Sequence, residues 1–162
     1  MVLYEKGNIV LREYSDGDFE KVFELFLDTV HKTCVNEYTG AQLDAWAPRG
    51  NRDAERNMRQ KLARSYCLVA EIDRCLAGFA SIAGDGEIDM TYVGNRFLKR
   101  GVGTALLDAL EERAKTRSLT VFASLSAAGF FEKRGYRRVM TNTVVRMGVR
   151  LDNIIMKKEI SR

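Results

Sequence analysis

Apolar residues recur along this chain in two alternating periods. From Asn8 to Tyr14, Ile9, Leu11 and Glu13 alternate with Val10, Arg12 and Tyr14, which predicts a first strand. Ser15 or Asp16 then suits a helix N-cap, and Phe19, Val22, Phe23, Phe26 and Val30 form one helical stripe ending near Cys34. Thr39 with Gln42 three positions on has capping-box form, predicting a short helix from Ala41 to Ala47 that stops at Pro48. Asn51 or Asp53 starts another helix through Met58 and Leu62 to about Arg64. Three period-two runs follow, Tyr66–Ile72, Cys75–Ala83 and Glu87–Val93. Asp73-Arg74 and Gly84-Asp85-Gly86 separate them as turns, so they read as an antiparallel meander. Val102, Ala105, Leu106, Ala109, Leu110 and Ala114 then share one face of a helix running to Arg117. A helix joins Glu87–Val93 to the next run, Leu119–Ser124, so those two strands should lie parallel. A helix from Ser126 to Arg134 and two closing antiparallel strands, Tyr136–Val149 and Leu151–Lys158, complete the chain. The expected fold is α/β of the α+β type, with a mixed, mostly antiparallel twisted sheet of about six to seven strands and helices on both faces.

Composition adds bounds. The 162 residues suit one domain spanning 1–162. The net charge of +4 is too mild to imply nucleic acid but suits an anionic ligand. Cys34, Cys67 and Cys75 contain no C-x-x-C pair, so no zinc site or disulfide framework is expected. Reduced thiols and the lack of a signal-peptide pattern point to the cytoplasm, and no run approaches a membrane span.

Chemistry concentrates between Glu87 and Ala114. A strand runs into a polar, basic turn, Gly94 to Arg100, and Gly101-Val102-Gly103-Thr104 opens a helix. Unpaired N–H groups at a helix start, with the helix dipole, attract phosphate oxygens. Gly101 and Gly103 let a ligand approach the backbone, and Lys99 and Arg100 add positive charge. A dinucleotide fingerprint would need glycine at Leu106, and a Walker loop would need lysine before Thr104.

The window Leu98-Lys99-Arg100-Gly101-Val102-Gly103 resembles the [QR]-x-x-G-x-[GA] signature of the GNAT superfamily of acetyl-CoA-dependent N-acetyltransferases. Leu98 stands where Gln or Arg is usual. A second block, Ala127 to Tyr136, is similar to that family's A-x-x-F-Y-E-x-x-G-[FY]. The resemblance implies that acetyl-CoA is the cosubstrate, with no metal, and that its acetyl group passes directly to the primary amine of a small acceptor. It implies that Leu98, Lys99, Arg100, Gly101, Val102, Gly103 and Thr104 hold the pyrophosphate. Tyr92 and Val93 should pair with the pantetheine arm, which enters where the two parallel strands splay, and Phe130 and Lys133 should flank it. The Val93 N–H is the implied oxyanion donor. His31, Tyr38 and Trp46 are the acceptor-side candidates, and the closing strands are a candidate homodimer interface.

Glu87 and Asp89, two apart on a strand, should share one face, with Ile88 and Met90 on the other as core. Neighbouring carboxylates push one pKa upward, so Asp89 is the first candidate base and Glu87 the second. The family's tyrosine acid is replaced by Phe131, leaving Ser124, Ser126 and Tyr92 as candidate donors to the leaving sulfur. Phe131 and Leu98 also suit a coenzyme A-binding sensor with weak catalysis, the alternative reading. A nucleic-acid module built on Lys133, Arg134, Arg137 and Arg138 is the least favoured reading.

Overall fold

The structure, a computed structural model, describes residues 2–161. Strands β1 (Val2–Lys6) and β2 (Ile9–Glu13) precede helices α1 (Phe19–Thr33), α2 (Gly40–Trp46) and α3 (Arg52–Arg64). Strands β3 (Tyr66–Ile72), β4 (Cys75–Ile82) and β5 (Glu87–Val93) form the meander. Helix α4 (Val102–Arg113), strand β6 (Ser118–Ser124) and helix α5 (Ala128–Lys133) follow, and β7 (Arg137–Arg146) and β8 (Val149–Glu159) close the chain.

The local chemistry explains most of these boundaries. Thr39 accepts from the Gln42 N–H (3.2 Å) while the Gln42 side chain accepts from the Thr39 N–H (2.9 Å), so the capping box starts α2. Asn51 caps α3 by accepting from the Ala54 N–H at 3.0 Å. Ser15 does not cap α1 directly. Its N–H donates to the Asp18 carboxylate (2.9 Å), closing a single 3-10 turn over Asp16–Asp18 from which α1 continues.

The strands form one sheet in the order β1-β2-β3-β4-β5-β6-β8-β7, antiparallel except between β5 and β6. Eight strands exceed the six to seven expected, and the addition is β1, which turns through Gly7 (φ +59°) and pairs back onto β2. The sheet separates two cores. Helices α4 and α5 pack Leu106, Leu110 and Phe131 against Leu68, Ile88 and Val121 on one face. On the other face α1, α2 and α3 pack Phe23, Leu43 and Met58 against Val69 and Phe79. Among the described residues no helix is long and apolar enough to cross a membrane.

One irregularity positions the two candidate carboxylates of β5. Against β4, Ser81 pairs with Met90 and Ile82 with Ile88, so Asp89 is an extra residue, a β-bulge in β5. A bulge reverses the alternation of side chains beyond it. Met90 therefore joins Glu87 and Asp89 on the α1–α3 face, while Ile88 stays in the α4 core. The expectation that Met90 pairs with Ile88 in the core is corrected on this ground. Immediately before the bulge the β5–β6 pairing stops. Only Glu87↔Thr120 and Ile88↔Val121 are paired, and a gap opens from there to Val93 and Ser124.

Candidate active site

The turn after β5 ends at an open helix start. Lys99 (φ +60°) and Gly101 (φ +84°) take left-handed conformations that reverse the chain into α4. The first intrahelical bond of α4 runs from the Ala105 N–H to the Gly101 carbonyl (2.9 Å), and no side chain caps this end. The N–H groups of Gly101, Val102, Gly103 and Thr104 thus lack intrahelical acceptors. Leu98, Lys99, Arg100 and Thr104 are exposed beside them, and the guanidinium of Arg100 lies over the Phe97 ring at 5.6 Å. A Cβ on Gly103 would come 3.2 Å from Phe130 and 3.6 Å from Val93, so a side chain there would crowd the space between this turn and the gap. Backbone donors, positive charge and space at Gly103 together fit a pyrophosphate-bearing ligand.

The gap has a directed donor at its edge. The Gly94 N–H bonds the Ala77 carbonyl on the β4 side at 2.8 Å. Successive N–H groups of an extended chain point to opposite edges, so the Val93 N–H points toward β6 and the gap. The Val93 carbonyl accepts from Thr29 Oγ1 at 3.3 Å, which ties the strand end to α1. Beyond the end of β6, the buried Ser126 Oγ lies within hydrogen-bonding reach of the Cys34 thiol. Burial pushes that thiol's pKa up, so Cys34 stays protonated at neutral pH.

On the α1–α3 face the gap opens into a cleft of about 980 Å³. Its floor carries Glu87, Asp89, Met90, Tyr92, Phe122 and Ser124, α3 forms one wall, and the β7–β8 hairpin forms the other. Burial first, then the Asp89 and Asp85 charges, push the Glu87 pKa up, with Lys61 opposing. Asp89 has Lys61 Nζ at 3.9 Å. The two carboxylates are thus unequally placed: Asp89 has a cation beside it, and Glu87 sits in the poorer environment for charge.

The aromatic candidates divide. Tyr92 packs on Phe26 (5.1 Å) and Phe79 (5.5 Å), and burial pushes its phenol pKa well up. Tyr38 and Trp46 line the cleft with rings 5.3 Å apart. The Tyr38 hydroxyl is already committed, accepting from the Leu125 N–H (3.0 Å) and donating to the Asp152 carbonyl (2.6 Å). It pins the exit of β6 to β8. His31 is not brought to the cleft. Its Nε2 lies 2.8 Å from the Ala47 carbonyl, where it satisfies the end of α2. Phe131 is 2% exposed and packs edge-on against Tyr136, while Phe130, half-buried, rests on Gly103. Lys133 is exposed in the last turn of α5. Sequence reasoning missed Phe122 and the α3 wall, because neither carries a motif.

A splayed strand pair leads from an uncapped helix start to a carboxylate-bearing cleft, a layout that suits group transfer from a phosphate-bearing carrier. Comparison with known proteins gives the family. The model of the acetyltransferase (GNAT) domain matches residues 34–160. The uncharacterized N-acetyltransferase YafP of Escherichia coli K12 is 36% identical over 152 residues, covering 93% of this chain and 96% of that protein. A GCN5-related N-acetyltransferase from Rhodopseudomonas palustris superposes with a TM-score of 0.90 at 35% identity, over 97% of this chain and 99% of that one. The fold is also shared with the PaiA N-acetyltransferase of Thermoplasma acidophilum, solved with coenzyme A, at a TM-score of 0.75 and 20% identity over 94% and 99% of the two chains. The chain belongs to the GNAT family of acetyltransferases.

Proposed function

We propose that the protein moves the acetyl group of acetyl-CoA directly to a primary amine held in the cleft. The observation that carries this reading is the β5–β6 gap, which links the open start of α4 to Glu87 and Asp89. When bound, acetyl-CoA supplies a thioester whose carbonyl carbon accepts the amine. The N–H groups of Gly101 to Thr104 hold the pyrophosphate, with Leu98 supplying backbone, Lys99 and Arg100 charge, and Lys133 further charge at the rim. Backbone at Tyr92 and Val93 pairs with the pantetheine amides like an added strand, and the Phe130 ring bounds its path. The Val93 N–H donates to the carbonyl oxygen as negative charge develops, an effect worth roughly 3 kcal/mol. Glu87, the second candidate on sequence grounds, takes the ammonium proton in place of Asp89, directly or through a water, because burial and the neighbouring Asp89 and Asp85 charges raise its pKa. Asp89 holds the cationic amine before the proton leaves. The Ser126 hydroxyl, beside Cys34, is the candidate donor to the leaving sulfur, and a thiol of pKa about 8.5 needs little help near neutral pH.

The buried, hydroxyl-free Phe131 favours a second reading, a coenzyme A-binding sensor with weak catalysis. One experiment separates the two. Acetyl-CoA is titrated calorimetrically into wild type and Gly103→Trp, and thiol release is then followed with a panel of primary amines. The enzyme reading expects micromolar binding that Gly103→Trp abolishes, and amine-stimulated release. Binding without stimulation by any amine supports the sensor. A folded wild type that does not bind sinks both.

A further inference from the structure

The cleft carries more apolar surface than proton transfer needs. Phe122 is 44% exposed and Met147 is 67% exposed, yet both line the cleft, as does Val144. Large side chains left open in a concavity mark a binding surface. Their placement is specific. Phe122 follows Val121, the last residue of β6 paired with β5, as Asp89 follows Ile88 in β5. The ring therefore stands at the mouth of the gap beside the carboxylates. Val144 pairs with Leu151, and Met147 sits at the tip of the β7–β8 hairpin, so the apolar strip runs from the gap outward across the floor. Helix α2 and the α1–α3 core cover part of β8, burying Leu151 with Val144 packed beside it, while Phe122 and Met147 stay exposed toward the cleft.

Charge limits what can lie on that strip. Asp53, Glu87, Asp89 and Asp152 line the cleft together with Lys61, Arg64 and Arg146, leaving a balance of one negative charge. One ammonium group satisfies that balance; several would meet the cations of α3 and the hairpin at close range. An ammonium at Glu87 and Asp89 would also sit by the Phe122 ring, a favourable cation–aromatic arrangement.

We infer that the acceptor is a monocationic amine with an aromatic or branched alkyl body, its ammonium at Glu87 and Asp89 and its body on Phe122, Val144 and Met147. This inference rests on the acetyl-transfer reading above. Phe122 is the specificity-determining residue, because it touches the carbon body next to the reacting nitrogen.

The test compares kcat/KM for phenethylamine, ethylamine and spermidine with acetyl-CoA, in wild type, Phe122→Ser and Phe122→Leu. Wild type is expected to prefer phenethylamine over ethylamine by about tenfold or more, since a hydrophobic contact of this size discriminates on that scale. In Phe122→Ser the ratio should fall toward one, and Phe122→Leu should recover most of it. Spermidine should be the poorest of the three. A wild type that acetylates spermidine as well as phenethylamine overturns the acceptor class while leaving acetyl transfer intact. So does a ratio that Phe122→Ser leaves unchanged. Absence of turnover with all three amines, although acetyl-CoA binds, overturns the acceptor class; the acetyl-transfer reading falls only if the wider panel of primary amines also fails to stimulate thiol release.

Discussion

At the scale of single residues, Glu87 separates function from stability. Its pKa is raised chiefly by burial, then by Asp89 and Asp85. A carboxyl raised in the folded state costs stability wherever it must ionise, so the penalty is present above its folded pKa and absent below the unfolded one. Glu87→Gln should therefore hold or raise Tm at pH 7 to 8 while lowering kcat by about 10²- to 10⁴-fold. It should also remove the acid limb of the pH–rate profile, which in wild type lies above the ordinary carboxylate range. Arg12 shows the opposite sign. Its guanidinium forks onto Asp18 with two 2.8 Å bonds and donates to Glu71 at 2.9 Å, holding the Asp18 carboxyl below the usual range. That stability is present above the unfolded carboxylate pKa of about 3.9 and is lost as pH falls through the lower folded value. Arg12→Met should cost about 1–2 kcal/mol at pH 7, given partial exposure, and urea midpoints of the two proteins should converge below pH about 3.

At the scale of elements, the bulge and the turn before it set the gap. Gly86 (φ +86°) leads into β5, and its carbonyl accepts from the Thr120 N–H at 3.0 Å. A Cβ there would meet the Ser118 carbonyl at 2.6 Å and clash with Thr116. Gly86→Ala should cost at least about 2 kcal/mol in urea unfolding, from strain and from parting β5 and β6 at their joined end. Most elements were legible from periodicity: α1, α3, β3 and β5 fall within a residue or two of expectation, because their apolar stripes and caps are local. Strand β1 was not, since Val2–Lys6 is short and only its pairing with β2 makes it a strand. Helix α4 ends at Arg113, short of the expected Arg117, where Thr116 Oγ1 turns back to bond the Ser118 carbonyl at 3.0 Å. The bulge was invisible because it is a register relation between β4 and β5, and nothing in Asp89 itself announces it. The turn at 98–104 could be read from glycine spacing. The cleft could not, since it joins residues from α3, β5, β6 and the β7–β8 hairpin.

At the scale of the whole molecule, the sheet is a wall with a core on each side, α4 and α5 behind it and α1–α3 in front. The gap perforates that wall. The start of α4 approaches it from behind, and the cleft approaches it from the front. On the acetyl transfer proposed above, the two substrates would enter by separate doors, and neither would have to leave before the other enters. That geometry bears on kinetic order. Initial-rate lines in double-reciprocal plots, measured at several fixed acetyl-CoA concentrations, should intersect, as both substrates occupy the enzyme at once. Parallel lines would mean that the acetyl group waits on the protein between visits, and that the opening in the wall is a queue and not a meeting place.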